Sequence, residues 1–214
     1  MTLRIEVIED PREFDRMGRS LARHVTHSAP RASRELVDRR KNPWFRHGAA
    51  ACFGAFRGRE ALGRVMAHID YRWFDDDGPR PGRLGLLEFA RTPEVAAALL
   101  SRAETWLGGQ GCERVVGPID PRGILSGGLM TDGFDELAMI DTPRNPSFYA
   151  ARLEENGYRD LATLLAWRYY LGRLPVAVRQ ISHAVSLRPG LELEHVNLDR
   201  FEWDLDRITT VYNQ

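Results

Sequence analysis

Between Arg83 and Gly109 the sequence runs from a short apolar stretch into a capped amphipathic helix, and this pair constrains the fold more than any other segment. Leu84, Leu86 and Leu87 put apolar side chains on both faces of a strand that ends at Phe89. A strand that is apolar on both faces needs cover on both sides, which means a sheet with helices above and below. Thr92 and Pro93 then form an N-cap and first-turn pair. Val95, Ala96, Leu99, Leu100, Ala103, Trp106 and Leu107 recur at helical spacing, and Gly108-Gly109 supplies the expected stop. Arg114 to Ile119 reads as a short strand returning to the sheet, and a strand-helix-strand crossover makes those two strands parallel neighbours.

Upstream, Leu3, Ile5 and Val7 alternate with Arg4 and Glu6, so residues 2–8 read as a first strand. Asp10 and Pro11 open a helix predicted from Pro11 to His24, with Phe14, Met17, Leu21 and Val25 on its apolar face. A second short helical pattern covers Ser33 to His47, broken by Asn42-Pro43-Trp44-Phe45. Two strand-like runs, Ala49 to Phe56 and Ala61 to Arg72, flank Arg57-Gly58-Arg59-Glu60 and predict a hairpin. Three antiparallel strands therefore precede the long helix.

The first fold expectation is thus an α/β chain with a mixed, mostly antiparallel central sheet flanked by helices on both faces. Its 214 residues suffice for one sizeable core, and thirty basic residues balance thirty acidic ones. Zero net charge gives no global reason to expect nucleic acid or an anionic membrane as partner, so a small-molecule or protein partner is expected, with a homodimer left open. No apolar run approaches the roughly 20 residues of a membrane span, and the charged, alternating Met1 to Asp10 lacks a signal-peptide core, so the expectation is a soluble, cytoplasmic chain. Cys52 and Cys112 are two isolated thiols, read as reduced and packed.

Residues 121–145 are rich in glycine, with Gly123, Gly127, Gly128 and Gly133, and hold one weak strand pattern at Leu137 to Asp141. Such a long loop is more often functional than ornamental. Asn145-Pro146 opens a helix that runs to Asn156, Gly157 ends it, and Leu161 to Leu171 reads as a last strand. Farther on, Leu191 to Val196 followed by Asp199 to Asp204 echoes Leu3 to Ile8 followed by Pro11 to Asp15. This divides the chain into a domain over 1–172, a linker over 173–190, and the start of an incomplete repeat over 191–214.

The order of these elements resembles the GNAT superfamily of acetyl-CoA-dependent N-acyltransferases. Asn145-Pro146-Ser147-Phe148-Tyr149 and Leu153-Glu154-Glu155-Asn156-Gly157-Tyr158 look like that family's asparagine, short helix and Tyr-Glu-Lys-x-Gly-Phe signature, with glycine and the following aromatic in register. Asn42-Pro43-Trp44-Phe45, Gly63-Arg64-Val65, Ala67-His68-Ile69-Asp70, Gly117-Pro118-Ile119 and Asp132-Gly133-Phe134-Asp135 together look like a bacterial group of longer proteins with two tandem GNAT-like domains.

The resemblance implies acetyl-CoA or another acyl-CoA as co-substrate and an amine, on a small molecule or a protein, as acceptor. It places the donor's pyrophosphate at the start of the long helix, where unpaired N–H groups and the positive dipole end face an anion. The matching residues are Phe89, Arg91, Thr92, Val95 and Ala96, with Asn145 close to the donor. That stretch departs from the family's pattern, because 89–96 contains no glycine and Glu94 brings a negative charge. Glu88 is the candidate base, interrupting an apolar strand beside the donor site. The family's acid position falls on Leu153, so Tyr149, one turn earlier, is the candidate substitute.

Four other features carry weaker expectations. His24 and His27 lack a third metal ligand and read as surface or packing residues, so no metal is expected. His68 stands with Arg64, Asp70 and Arg72 on a polar strand face, read as solvated unless it meets substrate. Asp75 to Asp77 reads as an acidic turn. Arg122, Ser126 and Asp132 mark the loop where acceptor selectivity is expected.

Overall fold

The computed structural model describes residues 2–22, 33–73, 79–121, 127–136, 142–167, 175–191 and 194–212. His24, His27, Asp75 to Asp77, Arg122, Ser126 and the weak strand pattern at Leu137 to Asp141 lie outside these residues. The chain divides into two compact units, residues 1–160 and 161–214.

The first unit is a five-stranded sheet in the order β1-β2-β3-β4-β5. β1 (Leu3–Val7), β2 (Gly48–Arg57), β3 (Glu60–Asp70) and β4 (Gly82–Phe89) pair antiparallel in succession. β5 is short, Val115–Val116, and pairs parallel with β4 through Gly82↔Val115 and Arg83↔Val116. The mixed sheet expected from the sequence is therefore present, with the hairpin at Gly58, whose φ of 65° suits glycine.

Helices cover both faces. α1 (Pro11–Leu21) begins at Asp10, whose side chain accepts a hydrogen bond from the Arg12 N–H. It packs with the short α2 (Arg34–Val37) and a 3-10 turn at Pro43–Arg46, so the helical pattern expected from Ser33 is broken before Asn42-Pro43, and the segment expected as a loop with apolar anchors forms a short turn. Asn42 caps that turn by accepting from Trp44 N–H, which is why proline can follow it. Ile8, Phe14, Met17, Val37, Trp44, Ala50, Met66 and Leu86 form the core on this face.

On the other face lies α3 (Pro93–Gly109), with Val95, Ala96, Leu99, Leu100, Ala103 and Leu107 buried against Phe53, Val65, Ala67, Leu84, Leu87 and Phe89. The helix runs through Gly108-Gly109 and stops at Gly111, whose φ of 84° is the left-handed turn that a C-terminal stop needs. α4 (Phe148–Glu155) adds Tyr149 and Leu153 to this core and ends before Gly157 at φ 86°.

β4 contains an irregularity that decides which way its side chains point. Arg64 pairs with Glu88 and Met66 with Gly85, so two residues of β4, Leu86 and Leu87, face one of β3. This is a β-bulge, and Leu86 sits in it at φ 48°. Strict alternation would put Leu84, Leu86 and Glu88 on one face. With the bulge, Leu84 and Leu87 join the α3 side while Leu86 joins the α1 side.

In the second unit, α5 (Val176–Ser186) forms within the expected linker, and α6 (Phe201–Tyr212) follows a 3-10 turn capped by Asn197. The expected last strand over Leu161 to Leu171 is not formed over residues 161–167, and 168–171 lie outside the described residues. Leu161, Leu164, Leu165 and Trp167 are exposed. Apolar, β-prone sequence becomes a strand only with a ladder partner, and residues 161–167 make no ladder. No described helix is long and apolar enough to cross a membrane.

Candidate functional site

The β4 strand separates two groups of predicted site residues, because Glu88 and Phe89 are consecutive and point to opposite faces. On the α1 face, Glu88 lies 9 % exposed and its Oε2 accepts from Arg64 Nε at 2.8 Å. Arg64 is fully buried. Its Nη1 donates to the Phe14 carbonyl at 2.7 Å and to Ser33 Oγ at 2.7 Å, and its guanidinium lies 4.8 Å from the Phe14 ring centroid. Ser33 donates from its N–H and hydroxyl to Asp15 Oδ1 at 3.0 and 3.2 Å, and Arg19 pairs with the other Asp15 oxygen. Burial works to raise the Asp15 carboxyl's pKa, but the Ser33 hydrogen bonds and Arg19 carry it below the ordinary value.

Gly18 makes room for this network. A Cβ there would stand 2.2 Å from Arg64 Cζ, so the helix accepts a glycine in its interior for the sake of the guanidinium. Arg64, Met66, His68 and Asp70 lie on one face of β3, and that face is covered rather than solvated, which corrects the expectation for His68 and Arg64. The cover is the α1, α2 and Trp44 layer.

His68 is fully buried, with Nε2 2.7 Å from the Ile119 carbonyl and its ring edge-on to Trp44. Burial pushes its pKa down to about 4, against the pull of the Ile119 hydrogen bond, so Nε2 carries the proton and donates. Asp70 accepts from the Arg72 N–H at 2.9 Å and Trp44 Nε1 at 3.2 Å and meets His47 Nδ1 at 3.0 Å.

On the α3 face, Phe89 and Tyr149 stack with centroids 4.0 Å apart and planes 9° apart. The Tyr149 hydroxyl accepts from the Phe89 N–H at 2.7 Å and donates to the Phe89 carbonyl at 3.2 Å. Phe148 lies edge-on to both rings, and the Arg91 guanidinium stands 5.5 Å from the Phe148 centroid. Phe89, Arg91 and Tyr149 are thus brought together. Glu88, across the sheet, is not with them. Leu153 is packed in the α3-side core.

The start of α3 is poorly furnished for an anion. Thr92 makes no side-chain cap bond, Pro93 has no N–H, and the Val95 N–H is turned onto the Thr92 carbonyl at 3.1 Å. Glu94 is ion-paired with Arg57, and Val95 and Ala96 are buried in the core. Asn145 is spent on the loop before α4. Its Oδ1 accepts from the Met130 N–H at 2.8 Å, and its Nδ2 donates to the Met130 and Pro146 carbonyls at 3.2 and 3.0 Å. Asp132, in the loop expected to select the acceptor, is exposed and accepts from the Gly133 N–H. No three described His, Cys, Asp or Glu side chains gather as metal ligands would.

Asp120 is a residue that the sequence reading missed. Its buried Oδ1 accepts from the Leu86 N–H of the bulge at 2.7 Å, while the Ile119 N–H donates to the Leu84 carbonyl at 2.6 Å. These two bonds continue the β4–β5 contact past the two ladder pairs. An aspartate one residue beyond a short strand carries no local signal of that role.

An acyl-CoA donor lying along β4 would need the Phe89 backbone groups and the α3 N-terminus. The first are held by Tyr149, and the second combines a proline, an inward-turned N–H and a carboxylate. The residues present do not fit that group.

No protein-family profile matches the chain. Over 173 residues it is 28 % identical to Protein YghO of Escherichia coli, covering 81 % of this chain and 44 % of the relative. Over 175 residues it is 29 % identical to a bacterial ceramide synthase of Caulobacter vibrioides, covering 80 % of this chain and 45 % of the relative. The chain spans under half the length of these curated relatives. Among solved structures it is similar to a transcriptional regulator from Bacillus halodurans, with TM-score 0.50 and 12 % identity over 78 % of this chain and all of that one. It is also similar to a ribosomal-protein-alanine N-acetyltransferase from Brucella melitensis, with TM-score 0.48 and 15 % identity over the same shares. By the order and pairing of its elements, from β1 through the bulged β4, the crossover α3 and α4, the first unit has the arrangement that the GNAT resemblance implies, a mixed, mostly antiparallel sheet with helices on both faces.

Proposed function

We propose that this chain is a GNAT-fold half of an N-acyltransferase, and that residues 2–160 serve that protein as a structural half rather than its catalytic one. The acyl-transfer reading is supported by the fold and by the relative named ceramide synthase, of which this chain matches under half. A ceramide is an N-acylated long-chain amino alcohol. The reaction class would then be amide formation between an acyl donor, acyl-CoA being the family's usual one, and the amine of a long-chain amino alcohol.

The observation that carries the structural-half reading is the Arg64–Glu88 pair. A general base must come within hydrogen-bond reach of the proton it removes. Glu88 is instead the carboxylate end of a strut whose guanidinium is fixed by α1 and Ser33. A buried pair of this kind ties β4 to α1 and Ser33, which is a fold-specifying role.

The test is to incubate the chain with acetyl-CoA or palmitoyl-CoA and a long-chain amino alcohol, reading amide by mass spectrometry and released thiol by colour. The expected result is no amide and no thiol above the protein-free blank. Turnover that falls in Glu88→Gln would overturn the structural-half reading and restore Glu88 as a base.

A further inference from the structure

We infer that the Tyr149 hydroxyl is the resident ligand of the β4 edge at Phe89, so that residues 2–160 take no acyl donor there; the inference rests on the structural-half reading above. Among the described residues the sheet leaves this edge without a strand. β5 pairs with β4 only at Gly82 and Arg83, and the contact continues through Ile119 and Asp120 no farther than the Leu86 N–H. On its β3 side, β4 is satisfied to its end, where the Ala90 N–H donates to the Leu62 carbonyl at 2.7 Å. The Phe89 N–H and carbonyl point the other way, past the end of β5, into a buried place where an unpaired donor is costly.

One hydroxyl serves both groups, accepting at 2.7 Å and donating at 3.2 Å. The ring that carries it is 2 % exposed, stacked on Phe89 and met edge-on by Phe148. To open the edge, Tyr149 would have to give up both hydrogen bonds and the stack together. A ligand would also have to accept the Glu94 carboxylate at the helix start, where an anion ordinarily finds free N–H groups. Two independent parts of the fold therefore disagree with the donor that the fold usually holds.

The experiment uses the full chain labelled with 15N-phenylalanine, with the Phe89 amide assigned by its loss in Phe89→Leu. CoA and acetyl-CoA are titrated to millimolar concentration. The Phe89 resonance is expected to stay in place. In Tyr149→Phe, which keeps the ring and removes the hydroxyl, Phe89 amide exchange is expected to quicken roughly tenfold or more. Movement of the wild-type Phe89 amide by CoA would overturn the inference, as would unchanged exchange in Tyr149→Phe. A moving Phe89 amide without amide product would sink this inference and leave the structural-half reading standing, whereas turnover with a still Phe89 amide would do the reverse.

Discussion

Replacing Arg64 with methionine removes the guanidinium and leaves the rest of its network in place. Glu88 then holds a carboxylate at 9 % exposure without its partner, and the Phe14 carbonyl and Ser33 hydroxyl each lose a donor. Breaking one side of a buried pair typically costs about 3–5 kcal/mol, most of it the penalty of the stranded charge. The unit holding residues 2–160 should therefore lose roughly 6–20 °C of melting temperature, at about 2–4 °C per kcal/mol for its size. Replacing both partners, Arg64→Met with Glu88→Leu, removes the charge that was stranded and should recover most of the loss. Urea unfolding followed by tryptophan fluorescence, to which Trp44, buried on the same face, contributes, reads both variants. The reasoning is refuted if Arg64→Met costs under about 1 kcal/mol, or if the double variant is no more stable than the single.

Three further outcomes follow from the same geometry. Burial holds the His68 pKa down to about 4, below the ordinary 6.5, so between those values the unfolded chain binds a proton that the folded chain refuses. Stability should therefore fall as pH drops from 6.5 to 4, by ~3 kcal/mol in full, and a His68→Gln variant should lack that component of the slope. Gly85→Ala would place a Cβ 2.8 Å from the Ile119 carbonyl and 3.1 Å from Asp120 Cα, so β5's continuation must shift. A loss of about 1–3 kcal/mol in urea unfolding is expected, and a neutral result would mean that this contact yields freely. Tyr149→Phe should cost about 1–3 kcal/mol because the Phe89 N–H is left unpaired, with calorimetry as the check.

The sequence was most legible where a pattern repeated. The apolar spacing from Val95 to Leu107 and the alternation in β3 each state a face many times over, and the sheet order follows from them. The single-residue devices were not legible. Nothing in Leu84 to Phe89 announces a bulge, because the backbone of Leu86 is turned by its tertiary neighbours and by Asp120, thirty-four residues along the chain. The polar residues of β3 looked solvated, because alternation tells which residues share a face and not what lies over it. The expected strand from Leu161 failed over residues 161–167 for a related reason, since β propensity names a strand but not its partner.

The most direct test of the account is thermal denaturation of the chain with increasing acetyl-CoA and palmitoyl-CoA. A ligand present at 100 times its dissociation constant adds about 2.7 kcal/mol to the folded state, which is several degrees of melting temperature for a unit of this size. A β4 edge held by Tyr149 predicts no shift with either donor. A rise that grows with donor concentration and saturates would contradict it.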